Sequence, residues 1–232
     1  MTDQTQALNG DLSVRVATDT QDMEWSPSPS GTVWRKRVHR VGPAETGQVT
    51  SVVRYEAGAR FPAHDHPGGE EILVLDGVFS DEHGDWPAGT YLLNPEGFSH
   101  SPFSENGCTL FVKLRQYPGV DRQHICIQTG EKSWKPSVRK ISSWKKLYAQ
   151  NPYTDFMRLE AWDTPAELGQ INFPRGAELF VLKGQFNDEL GCYRTHSWLR
   201  IPPGGSITPT SEEYCELYIK EGGFTYLEDS PG

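Results

Sequence analysis

Short runs of β-branched and aromatic residues, bounded by Gly, Pro, Asn and Asp, recur about every ten residues along the chain, and helical periodicity is scarce. This pattern predicts an all-β sandwich or barrel. Candidate strands run over Thr32 to Val41, Thr50 to Glu56, Glu71 to Ser80, Thr90 to Asn94 and Cys108 to Arg115. Later ones run over Phe156 to Trp162, Glu178 to Asn187, Ser197 to Ile201 and Cys215 to Lys220. SPSPSG at 26–31 reads as a loop after a polar N-terminal arm, and the stretch from about Lys132 to Pro152 as a connector with one helical turn.

The pattern repeats. A shift of 107 residues lays EILVLDGVFSDEHGDW on ELFVLKGQFNDELGCY, and between Gly69 and Lys113 nineteen of forty-five positions are identical without a gap. Gly77 meets Gly184, Pro95 meets Pro202, Gly97 meets Gly204 and Cys108 meets Cys215, so turn residues fall where a shared backbone needs them. The chain therefore reads as two copies of one β module: an arm and loop over 1–30, a first module over 31–130 and a second over 131–232.

Composition narrows the partners. The formal net charge is −9 and the basic residues are scattered, apart from groups such as Arg35, Lys36 and Arg37, which argues against nucleic acid. No run approaches the roughly 18 apolar residues that span a bilayer, and MTDQTQALNG lacks the basic and apolar regions of a signal peptide, so no membrane partner and a cytoplasmic location are expected. The four cysteines, at 108, 126, 192 and 215, form no Cys-x-x-Cys pair and are expected as reduced thiols.

One short stretch carries candidate chemistry. In HDHPGGEE, His64 and His66 are two apart, so a strand points both to one side. Pro67 to Gly69 then turn the chain, and Glu70 and, from a second turn, His100 can reach the same interior. Three imidazoles and a carboxylate suit one borderline divalent ion, with Zn, Fe, Mn, Ni and Cu all chemically admissible, and this donor set leans towards a site with open positions for a small-molecule ligand.

The spacing of Gly58, His64, His66, Glu70 and Gly77 matches the first cupin motif, and that of Gly89, Pro95, Gly97 and His100 the second. The chain thus resembles the cupin superfamily, and GGEEILVLDGVFSDEHGDWPAGTYLLNPEGFSHSPFSENGCTLFVKLRQ is similar to the cupin domain of ChrR anti-sigma factors. The resemblance implies a bicupin, two tandem double-stranded β-helix (jelly-roll) barrels. It also implies zinc, ahead of iron, manganese or nickel, held by His64, His66, Glu70 and His100, and a regulatory role in stress response. In ChrR the sigma factor is held by a separate helical zinc domain with a His-x-x-x-Cys-x-x-Cys motif. Residues 1–50 here hold no cysteine and only His39, so direct sigma-factor binding is not expected.

In the second copy His64 becomes Ile171, His66 becomes Phe173, Glu70 becomes Ala177 and His100 becomes Ile207. The joint loss predicts a metal-free second module whose cavity these apolar residues fill, because imidazoles and a carboxylate buried without a metal would be desolvated. Glu71 persists as Glu178, which marks it as structural or as supporting the ligands rather than binding. Asp81, Glu82 and Gly84 recur as Asp188, Glu189 and Gly191, so DEHGD with His83 reads as a hairpin turn. Arg54 and Arg115 are within reach of a ligand, though no spacing places them in the cavity. Two functions follow: a sensor or regulatory module, or a mononuclear metal dioxygenase acting on a small diketone or aromatic ketone. Exposed strand edges also leave room for a homodimer.

Overall fold

The structure, a computed structural model, describes residues 7–138 and 142–228. Among these residues every paired strand is antiparallel and no α-helix occurs; helical turns are limited to three-residue 3-10 segments such as Thr129–Glu131. The chain forms two compact units: the first comprises the described parts of 1–10, 23–130 and 226–232, the second 11–22 and the described parts of 131–225.

In the first unit one sheet runs in the order Ile125–Gln128, Thr90–Asn94, Glu70–Asp81, Cys108–Leu114, Gln48–Tyr55, Val33–Val41 and Ser26–Pro27. A two-stranded ribbon pairs His64–His66 with Phe98–His100 in the register His64 to His100 and Phe98 to His66. The core, including Val33, Val53, Ile72, Phe79, Leu92 and Leu110, lies along the inner side of the large sheet. The second unit repeats this plan with Val16–Asp19, Ser197–Ile201, Ala177–Lys183, Cys215–Glu221, Phe156–Trp162, Ser142–Tyr148 and Lys135–Pro136. Its ribbon pairs Ile171 with Ile207, the register of His64 and His100.

Two stretches differ from the sequence expectation. The first thirty residues, read as an arm and loop, carry the strand Val16–Asp19, which pairs with Ser197–Ile201 of the second unit; its four residues VATD are too short to show alternation. The stretch read as a connector holds the strand Ser142–Tyr148 instead of a helical turn. Its lysines hide the pattern: Lys145 is buried, with its ammonium 4.3 Å from the centre of the Trp134 ring. Residues 139–141, inside that stretch, lie outside the described residues.

The corner before Glu70 is fixed by backbone. The Gly69 amide donates to the His66 carbonyl at 3.0 Å, and Gly69 adopts φ +73°. A Cβ there would stand 2.9 Å from both Cβ and the carbonyl oxygen of Tyr117, so glycine is required twice over. Beyond it, Glu70 and Glu71 face opposite sides of the strand. Glu71 accepts hydrogen bonds from Tyr91 Oη at 2.7 Å and from Tyr117 Oη, so it serves the outer packing of the sheet.

Candidate metal centre

The barrel brings His64, His66 and His100 together: one ring nitrogen from each lies within 4.8 Å of the others. His66 Nε2 and His100 Nε2 are 2.9 Å apart, and Glu70 Oε2 stands 3.4 Å from the first and 3.5 Å from the second. Asn94 Nδ2 donates to the same Glu70 oxygen at 2.9 Å and orients it. Of the four residues read from the spacing, the three histidines form one cluster, and Glu70 lies beside two of them.

The far nitrogens of two of the rings are already engaged. His64 Nδ1 is 2.9 Å from the Pro62 carbonyl oxygen, and His100 Nδ1 is 3.0 Å from Asp81 Oδ2. Such partners leave each Nε2 for the centre and raise the basicity of the imidazole. Burial pulls His66 down from its ordinary pKa, outweighing the opposite pull of Glu70. Burial also opposes charge on His100, but the Asp81 hydrogen bond and the Glu70 carboxylate override it and push His100 up. For Asp81, burial is outweighed by the hydrogen bonds from His100 and the His83 amide, which hold the carboxyl below its usual range. Three imidazoles, two of them with fixed outer partners, and a neighbouring carboxylate form a donor set that could hold a divalent metal.

Asp81 is one residue at the site that sequence reading missed, since its recurrence as Asp188 marked it as a turn residue. It does close the turn, accepting the His83 amide at 2.8 Å, but its other oxygen holds His100. In the second unit Asp188 instead meets Arg15 Nη2 and, at 3.0 Å, Tyr193 Oη. Replacing Asp81 by Asn is expected to weaken metal binding roughly 10- to 100-fold, the usual cost of losing such a partner, as read by competition with a chelator of known affinity.

The cluster opens onto a chamber of about 110 Å³ walled by Val53, Tyr55, Ile72, Phe79, Leu110 and Val112, with Arg35 at its edge. A vestibule of about 270 Å³ leads past Phe61, Asp65, Arg115 and again Arg35. Burial, and then the Glu70 charge, push the Tyr55 phenol up, so it stays a neutral donor. Arg115 thus reaches the vestibule, whereas Arg54 packs over the Trp25 ring, 4.6 Å from its centre.

In the second unit Ile171, Phe173, Ala177 and Ile207 lie in one buried apolar cluster with Trp162 and Phe186. Among the described residues, the three-histidine group is where ligand atoms gather for a metal.

A closed antiparallel barrel with histidines of two neighbouring strands aimed inwards defines a cupin. The ChrR Cupin-like domain model matches residues 13–118 and again 122–225, and the chain belongs to that family. Solved structures agree on the fold. A proposed dioxygenase from Nostoc punctiforme superposes with a TM-score of 0.73 at 13% identity, covering 97% of this chain and 89% of that one. The pirin YhhW from Escherichia coli, solved with nickel(II), gives 0.64 at 15% identity over 90% and 99%. A deletion mutant of Bacillus subtilis oxalate decarboxylase gives 0.64 at 14% identity over 93% and 79%. Among curated proteins, none matches the chain. No helix among the described residues is long and apolar enough to cross a membrane.

Proposed function

We propose that the first unit is a mononuclear metal-dependent enzyme of the dioxygenase type that acts on a small ketone or diketone, with His64, His66, His100 and Glu70 as its metal ligands. The observation that carries this reading is the largely apolar chamber that His64, His66 and Glu70 border, with His100 grouped beside the two imidazoles. A divalent metal held there would supply a Lewis acid with coordination positions left for small molecules. The residues of the chain would do the rest. Ile72, Phe79, Leu110 and Val112 would exclude water around the apolar part of a substrate, Tyr55 would present a neutral hydroxyl, and Glu70, hydrogen-bonded by Asn94, would serve as a base only on detaching from the metal. Among the solved relatives, the proposed dioxygenase of Nostoc punctiforme supports this class. Iron, manganese, nickel and zinc all suit the donor set, and zinc is the metal that the ChrR resemblance favours.

Oxygen uptake by the iron-loaded chain across a panel of diketones and aromatic ketones tests the reading. Uptake with at least one compound, abolished by His100→Ala, is expected. No turnover with iron, manganese, nickel or cobalt demonstrably bound would sink it. The family description favours a second reading, in which the same metal site senses a small ligand or a reactive oxygen species and alters a partner interaction. That reading predicts a metal-dependent change in partner binding without turnover.

A further inference from the structure

Apart from His64, His66 and Glu70, three of the proposed ligands, the inner chamber is walled by apolar side chains, Tyr55 and one cation, Arg35. Arg35 lies on Val33–Val41 directly across from Val53, and it borders both the inner chamber and the vestibule that passes His64 and His66. An arginine at such a place needs an anion. The one it has comes from the loop that follows its own strand: both Glu45 oxygens meet Arg35 Nη1, at 2.8 and 2.7 Å, and Glu45 Oε1 also takes Arg37 Nη2 at 3.1 Å. The Glu45 side chain is 44% exposed, so this carboxylate sits at the solvent side, where an exchangeable partner costs little to release.

The repeat supplies an independent observation. Arg35 pairs with Val53, and Trp144 pairs with Glu160, the residue 107 positions after Val53, so Trp144 holds the place of Arg35 in the second copy. The next residue is kept as lysine in both copies: Lys36 lies 4.5 Å from the Trp25 ring centre, and Lys145 lies 4.3 Å from that of Trp134. The strand thus retains its outer cation, which packs, and loses its chamber-side cation together with the four ligand positions.

We propose that Arg35 selects the substrate: it binds the carboxylate of a short oxo acid whose carbonyl end faces the imidazoles, and Glu45 holds the guanidinium until that acid displaces it. Arginine suits this task because its planar fork matches a carboxylate and its charge does not titrate. The assignment rests on the reading of the chamber as a substrate site and adds the class of substrate to it.

The test uses the full chain loaded with cobalt(II), whose visible absorption reports ligands at the metal. Two probes of similar shape are titrated, 2,4-dioxopentanoate and the neutral hexane-2,4-dione. The intact chain is expected to bind the acid roughly 10- to 100-fold more tightly than the dione, the usual worth of a charge-assisted contact. Arg35→Gln brings the ratio close to one without changing the affinity for the dione. Arg35→Lys, which keeps the charge but not the fork, retains an intermediate preference, and Glu45→Gln tightens the acid several-fold and leaves the dione alone. Equal affinities in the intact chain, or an unchanged ratio in Arg35→Gln with cobalt retained, would overturn the role of Arg35 while leaving the chamber a ligand site. If neither probe changes the cobalt spectrum, the chamber is not a substrate site, and the enzyme reading and the role of Arg35 both fall.

Discussion

His66→Ala binds no metal at concentrations that saturate the intact chain. His66 is buried, and its Nε2 faces His100 Nε2 at 2.9 Å and Glu70 Oε2 at 3.4 Å, at the middle of the ligand group. Loss of a ligand should therefore exceed the roughly 10- to 100-fold penalty for losing an outer partner such as Asp81. The consequence for stability follows from linkage. At free metal about 1,000 times Kd, binding adds about 4 kcal/mol to the stability of the holo form, and the variant forfeits all of it. Thermal unfolding of both proteins with and without metal checks this. Metal should raise the midpoint of the intact chain and leave that of the variant unmoved, and an equal rise in both would assign the stabilisation to another site.

The same position in the second copy predicts the opposite behaviour. Phe173 is 1% exposed and packs with Ile171, Ala177, Ile207, Trp162 and Phe186, filling the space that the imidazoles surround in the first unit. Phe173→Ala should cost about 3–5 kcal/mol, the usual range for a buried Phe truncated to Ala. It should leave the metal content unchanged. Chemical denaturation reads the first effect and metal analysis the second. A small loss of stability would mean that the space is not packed as described, and a loss of metal would mean that the second unit contributes to the site.

Much of this was legible in the sequence because the repeat supplied its own control. Turn glycines and the 107-residue shift revealed two β modules, and the joint replacement of His64, His66, Glu70 and His100 by Ile171, Phe173, Ala177 and Ile207 picked out a site that the fold assembles around three histidines. Strand alternation also parts Glu70, which lies beside His66 and His100, from Glu71, which meets Tyr91 and Tyr117. Asp81 escaped because persistence in a copy does not mean one role: the same aspartate supports His100 in one unit and meets Arg15 in the other. Asn94 becomes Ile201 in the copy, a signal that was present but weak beside the histidines. Arg35 was hidden for a different reason. Its counterpart, Trp144, lies 109 positions on rather than 107, so an ungapped shift sets Arg35 against the wrong residue and strand pairing is needed to correct it. Strand Val16–Asp19 was missed because its partner, Ser197–Ile201, is far along the chain, and four residues carry too little pattern of their own.

In this reading one copy of the barrel holds a metal at its histidines, and apolar side chains fill the same place in the other. Elemental analysis of the full chain after saturation with metal and removal of the excess tests it most directly, with His66→Ala and His100→Ala measured alongside. One metal per intact chain and close to none in either variant is the predicted result. Two metals per intact chain, or one retained in both variants, would contradict it.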